Sequence, residues 1–215
     1  MSAKLSRPVA AVALPTTATV AVLGAHVYAH PPGPLDRGAE AWALAHRTPA
    51  LLAAFTAVSR FGAPAFVFAA TAAVALLLRL GPTRRRAGGR ETALLVAAPA
   101  LAVLAFNLLK VLVHRTRPAG GLLLPLRTYS FPSGHAAVSA AGFLTLGWVL
   151  ARDRRVPGWL AALVAVVPPL AIGASRVYLD VHWATDVIAG WCLGAAVASL
   201  AAAAYERARG ARVTA

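Results

Sequence analysis

Long apolar runs free of charge recur from one end of this 215-residue chain to the other. They constrain its fold more than any other feature. A helix needs about 20 apolar residues to cross roughly 30 Å of hydrocarbon. Six segments suit that length, at about 8–30, 61–80, 92–113, 135–151, 157–174 and 183–204. Charged turns bound the last three most clearly. The expected fold is therefore all-α: a polytopic membrane helix bundle with six transmembrane helices, forming one domain over 1–215. Only 13% of the residues are charged, against about 25% in soluble domains. The first run follows Lys4 and Arg7, as in a secretory leader, but it is long for a leader's apolar core of about 7–15 residues. A retained span is the expectation.

The formal net charge is +14. The basic residues fall between the spans and form no continuous stripe, which argues against nucleic acid and for a topology signal. Thirteen of the 21 lysines and arginines lie at one set of span ends and eight at the other. Four of the eight sit in or beside polar motifs and have another reason to be there. The positive-inside rule thus expects cytoplasmic termini and cytoplasmic turns at 81–91 and 152–156. The segments 31–60, 114–134 and 175–182 then face outward from the plasma membrane. Arg127 belongs to this second set.

The 31–60 segment opens on Pro31, Pro32, Gly33 and Pro34. It continues with Trp42, Leu44, Leu51, Leu52 and Phe55 among a few charges. It reads either as an amphipathic helix in the membrane interface or as a partly buried loop. Gly190 and Gly194 form a small-residue pair suited to close helix packing. The single cysteine, Cys192, lies inside the sixth run and reads as filler.

Three polar stretches interrupt the apolar chain. The first is Lys110, Arg117 and Pro118 in the spacing Lys-x6-Arg-Pro. The second is Pro132, Ser133, Gly134 and His135. The third is Ser175, Arg176, His182 and Asp186 in the spacing Ser-Arg-x5-His-x3-Asp. Each lies at an odd-to-even connection between spans, so topology brings all three to one face. Arginine's planar fork matches phosphate oxygens, and lysine adds a point charge. Any one such cation alone reads more simply as a snorkelling side chain. Three of them beside two histidines point to an anion.

Ser133 and Gly134 before an apolar run read as a helix start, with Ser133 as N-cap. Such a start binds anions through free N–H groups and the dipole, and it places His135 beside the anion. His182 and Asp186 are four apart at the start of the sixth span and are expected to share a helix face. A carboxylate on Nδ1 fixes the tautomer and frees Nε2 to attack. A capping pair is the plainer alternative. Zinc is a third, but the nearby cations would repel it and no further ligand cluster exists, so no metal and no cofactor are expected. Asp180 is a weaker candidate for orienting His182. Arg115, more than His114, is a candidate pocket residue. His26, His30 and His46 have no partner in sequence. The residues alone do not decide which histidine is the nucleophile, although Asp186 favours His182.

The ordered set of three motifs resembles the signature of the type 2 phosphatidic acid phosphatase superfamily, complete at every position over 110–186. The six-span layout extends the likeness over nearly the whole chain. Members of that family are metal-independent phosphatases of lipid phosphates and pyrophosphates, and soluble vanadium haloperoxidases share the pocket. The resemblance implies that His182 attacks phosphorus, Asp186 orients it, and His135 protonates the leaving oxygen and then activates water. It implies that Lys110, Arg117, Ser133, Gly134 and Arg176 hold the phosphoryl oxygens. The expected substrate is a membrane lipid phosphate such as undecaprenyl pyrophosphate, phosphatidic acid or phosphatidylglycerophosphate. A lipid phosphotransferase with the same site and a non-catalytic lipid-binding or transport protein are the competing readings. No protein partner is indicated.

Overall fold

The computed structural model describes residues 3–80, 89–121 and 128–213. Residues 81–88 of the basic turn expected at 81–91, Arg127, and the outermost residues of both termini lie outside them. Eight helices follow one another among the described residues: α1 (Ala3–Ala29), α2 (Pro34–Ala45), α3 (Pro49–Phe61), α4 (Pro64–Leu80), α5 (Gly89–Val113), α6 (Gly134–Arg152), α7 (Gly158–Tyr178) and α8 (Ala184–Val213).

Five helices, α1, α5, α6, α7 and α8, are long and apolar enough to cross a membrane. The expected second span, 61–80, is built differently. Its helix α4 has 17 residues, about 25 Å at 1.5 Å per residue. It becomes span-length only together with α3, which meets it at a 56° bend. The break has a local cause. Gly62 closes α3, its N–H donating to the Val58 carbonyl at 3.0 Å. Pro64 then restricts Ala63 and can begin a helix but not continue one.

Helix α6 is the centre of the bundle, with α4, α5, α7 and α8 all packed on it. Small residues let them approach. A Cβ on Gly190 would lie 2.6 Å from the Ser133 carbonyl oxygen, and one on Gly194 would lie 2.6 Å from Ala140 Cβ. Only hydrogen fits at either position, so the expected close-packing pair is realised between α8 and α6. Helix α1 runs along α8. Large apolar side chains such as Leu14, Leu77, Leu104 and Trp159 point outward, as they do where lipid is the solvent.

The 31–60 segment is two helices, not one helix or a loop. Gly33 and Pro34 start α2. Thr48 caps α3 by accepting from Leu51 N–H at 3.2 Å. Helix α2 packs on α7 and α8, and α3 packs on α7. Trp42, Leu44 and Leu51 are exposed, while Phe55 stacks on Tyr178 with 4.2 Å between centroids. Asp36 and Ser59 point inward and are buried.

The two ends of the bundle differ. At one end Arg152 joins Glu206 at 2.8 Å, Asp153 at 2.8 Å and Glu91 at 3.7 Å, and lies over the Tyr205 ring. That cluster ties α5, α6 and α8 together. The other end gathers the last turns of α5 and α7, the first turns of α6 and α8, and the loops that carry the motifs.

Candidate active site

His182 is 3% exposed and sits in the loop between α7 and α8, two positions before α8 begins. It is therefore not on a helix face with Asp186, as its spacing suggested. Asp186 lies in the first turn of α8, and its Oδ2 accepts from the Trp183 backbone N–H at 3.0 Å. This is half of a capping box. The His182 ring folds back so that Nδ1 lies 3.4 Å from the same oxygen. One carboxylate thus both caps the helix and faces the imidazole.

The other ring nitrogen, Nε2, lies 3.2 Å from the Arg117 guanidinium. Guanidinium only donates, so Nε2 accepts and the ring proton sits on Nδ1, toward Asp186. Both neighbours select the same tautomer. Burial pushes the His182 imidazole down to about 3; Asp186 opposes this, while Arg117 and Arg176 add to it. The ring is neutral at neutral pH, with its Nε2 lone pair available.

Arg117 extends from the segment after α5, where Pro118 keeps its backbone out of helix as expected. It donates to the Thr128 carbonyl at 2.8 Å, to the Thr128 hydroxyl at 3.1 Å, and to the carbonyls of Tyr129 and Val181. Burial lowers its pKa from the ordinary guanidinium value, with Asp186 opposing. Lys110, in the last turn of α5, does not snorkel. It is 8% exposed, and its ammonium donates to the Tyr129 carbonyl. Arg176 lies inside α7, which runs four residues further than the expected span end at 174. It donates to the Ser59 hydroxyl, and its Nε has no partner among the described residues. Lys110, Arg117, Arg176 and His182 all lie within electrostatic reach of His135.

His135 occupies the first turn of α6, as expected. Ser133 is the N-cap residue, but its side chain makes no capping bond. Its Oγ is fully buried and has no partner among the described residues. Its backbone N–H donates to the Asp186 carbonyl at 3.0 Å, which fixes the start of α6 against α8. The first N–H groups of a helix lack internal acceptors. A Cβ on Gly134 would lie 3.0 Å from the Phe106 ring, so any larger residue there would press on that ring. The outcome is a free hydroxyl, an open helix start and three cations around His135.

Other expectations are corrected or refined. Asp180 does not orient His182. Its carboxylate lies 3.7 Å from Arg47, and burial, then Glu40, raise its pKa against Arg47. His114 is exposed and lies edge-on to Tyr129 at 4.5 Å. Arg115 is buried and contacts Asp186 Oδ1 at 2.6 Å and Asp36 Oδ2 at 2.6 Å. Asp36 and Ser59 were not singled out from the sequence. For Asp36 one signal existed: it is one of only seven acidic residues in the chain, and it stands in the first turn of a helix.

Fold and site together define a helical membrane protein that gathers cations and histidines at one end of its bundle. The family model of the PAP2 superfamily matches residues 91–209, and the chain belongs to that family. Over 80 residues it is 42% identical to the undecaprenyl-diphosphatase of Sulfolobus acidocaldarius, a stretch covering 37% of this chain and 35% of that protein. The chain thus spans about a third of that relative's length. Over 160 residues it is 36% identical to the decaprenylphosphoryl-5-phosphoribose phosphatase of Mycobacterium tuberculosis, covering 71% of this chain and 79% of that protein. The fold resembles the crystal structure of a transmembrane PAP2-type phosphatidylglycerolphosphate phosphatase from Bacillus subtilis. The TM-score is 0.77 at 24% identity, over 90% of this chain and 96% of that one. The protein is a multi-pass membrane protein.

Proposed function

We propose that this protein is a metal-independent lipid phosphatase working through a phosphohistidine on His182. The observation that carries the reading is the His182 imidazole, held neutral with its proton on Nδ1 and its Nε2 3.2 Å from Arg117, at the end of the bundle where Lys110, Arg117 and Arg176 gather around His135. Two of the relatives named above are called undecaprenyl-diphosphatase and decaprenylphosphoryl-5-phosphoribose phosphatase, which favours a lipid phosphate or diphosphate as substrate. Undecaprenyl pyrophosphate, phosphatidic acid and phosphatidylglycerophosphate are the substrates to test. The side chains around the site supply positive charge, which suits a phosphate and repels a divalent cation.

In this scheme Arg117 turns from Nε2 to a phosphoryl oxygen as the substrate enters. Lys110, Arg176, the Ser133 hydroxyl and the N–H groups at the start of α6, with Gly134, take the remaining oxygens. The Nε2 lone pair then attacks phosphorus. The bond from phosphorus to the leaving oxygen breaks, and His135, which enters this step protonated beside the bound phosphate's negative charge, gives that oxygen its proton. In the second step His135 takes a proton from water, whose oxygen attacks phosphorus as the bond from phosphorus to Nε2 breaks and its electron pair returns to that nitrogen. Inorganic phosphate leaves and both histidines return to their starting states. Catalysis rests on positioning and on charge held where the transferring group develops it.

The excess of basic residues at the opposite span ends supports a site on the outer face of the plasma membrane, with cytoplasmic termini. The test is phosphate release by purified protein in detergent with excess chelator, across a panel of lipid phosphates and diphosphates. Turnover is expected to survive the chelator and to fall by roughly 10³-fold or more in His182→Ala, as for a lost covalent nucleophile. Release that needs a metal, or that persists in the variant, refutes the scheme.

A further inference from the structure

The proposed reaction leaves one buried carboxylate unused. Asp36 is 2% exposed and stands in the first turn of α2, far from the three motifs in sequence. Its Oδ1 accepts from the Thr185 N–H at 2.9 Å, and both of its oxygens lie 2.9 Å from the Thr185 hydroxyl. Its Oδ2 lies 2.6 Å from Arg115, whose other terminal nitrogen lies 2.6 Å from Asp186. Asp186 faces His182. The four side chains Asp36, Arg115, Asp186 and His182 therefore form one continuous buried chain.

Charge explains why the chain needs its far end. A guanidinium in tight buried contact with Asp186, alone, would cancel the charge of the carboxylate that faces His182. Charges act strongly on one another in such a setting. With Asp36 on its other side, Arg115 is shared between two carboxylates, and the group keeps one net negative charge. That charge is needed here, because Arg117 and Arg176 both act on the ring and phosphoryl transfer to Nε2 adds positive charge to it. Thr185 fixes Asp36 from two donors, so the balance is set by geometry. We propose that Asp36 is a positioning residue: by sharing Arg115 it keeps Asp186 negative toward His182 and so holds the imidazole with its proton on Nδ1. This inference rests on the reading of His182 as nucleophile.

The test compares wild type, Asp36→Asn and the double variant Asp36→Asn with Arg115→Gln, all full length in detergent. One arm measures phosphate release from phosphatidic acid in mixed micelles. The other records ¹⁵N spectra of histidine-labelled protein, with His182 assigned by its loss in His182→Ala. Asp36→Asn is expected to lower kcat by roughly 10–100-fold, as for partners that orient a reacting group from behind, with KM changed less than about threefold. Its His182 signal is expected to show mixed tautomers. The double variant removes one negative and one positive charge. It is expected to recover at least about fivefold of the lost kcat and the single tautomer, a non-additivity that measures coupling. A purely structural role for Asp36 predicts a double variant no better than the single one. That result, or a single variant with unchanged spectrum, overturns the proposal. Should Asp36→Asn fail to fold, the double variant, which removes the buried pair as a unit, carries the spectral test alone, and a mixed tautomer there overturns the proposal. Wild type that releases no phosphate from phosphatidic acid or from any other lipid of the panel, but shows the expected spectral changes, sinks the phosphatase reading and leaves the tautomer assignment standing. Active wild type with indifferent spectra does the reverse.

Discussion

Gly190→Ala is the substitution through which packing and catalysis are most directly joined. The added Cβ would stand 2.6 Å from the Ser133 carbonyl oxygen and 2.9 Å from Ala136 Cβ. Neither atom can swing away, because one is backbone and the other is a methyl fixed to a helix. Ordinary contact begins at 3.4 Å, so α6 and α8 must part locally by about 0.8 Å, at a cost of roughly 1–3 kcal/mol for an overpacked core. The displaced element is the start of α6, which carries Ser133, Gly134 and His135, while His182 and Asp186 stay with α8. A misplacement near 1 Å costs about 10²-fold in a positioned reaction, so kcat/KM for phosphate release should fall by roughly 10–100-fold. Gly147→Ala is the control. Its Cβ would lie 2.6 Å from Ala165 Cβ and 2.7 Å from the Ala161 carbonyl, an equal insult about 20 Å further along α6. It should lower the melting temperature similarly and leave kcat/KM within about threefold. Full activity in Gly190→Ala, or equal losses in both variants, refutes the reasoning.

Arg152→Met at the far end should destabilise without disabling. It leaves Glu206 and Glu91 partly buried without their cation, at a cost of roughly 1–3 kcal/mol once partial exposure is allowed for. The melting temperature should drop while kcat/KM stays within about twofold; a selective loss of turnover would contradict the separation of the two ends. A third prediction concerns pH. His182 is held at about 3, below its ordinary 6.5, so as pH falls the unfolded chain binds this proton first. The stability is fully present above 6.5 and is lost as pH falls from there toward 3, by up to about 1.4 kcal/mol per pH unit. His182→Ala should flatten the dependence of melting temperature on pH between 7 and 4.5, followed by tryptophan fluorescence. Parallel curves would show that the ring is not buried neutral.

The sequence carried the spans and the motifs because both are local signals. An apolar run long enough to cross a bilayer is visible in any window, and the order of the motifs at odd-to-even connections brings them to one end. It set the second span at 61–80, close to the break at Gly62 and Pro64, but did not show that α4 has only 17 residues and reaches span length together with α3, because the 56° bend joining the two is a tertiary feature. It also set His182 on a helix that begins two residues later. Spacing gives the contact with Asp186 but not the conformation that makes it.

The sequence by itself determined a membrane bundle, its three motifs and the chemistry they suit. The tertiary structure decided what stands behind them. Asp36 and Ser59 come from the 31–60 segment, which carries no motif, and they meet Arg115 and Arg176 only because α2 and α3 pack on α7 and α8. The Ser133 hydroxyl is buried without a capping bond although Ser133 holds the N-cap position. Such facts depend on which buried polar group finds which partner across the bundle, a choice made by packing at ångström range between residues far apart in the chain.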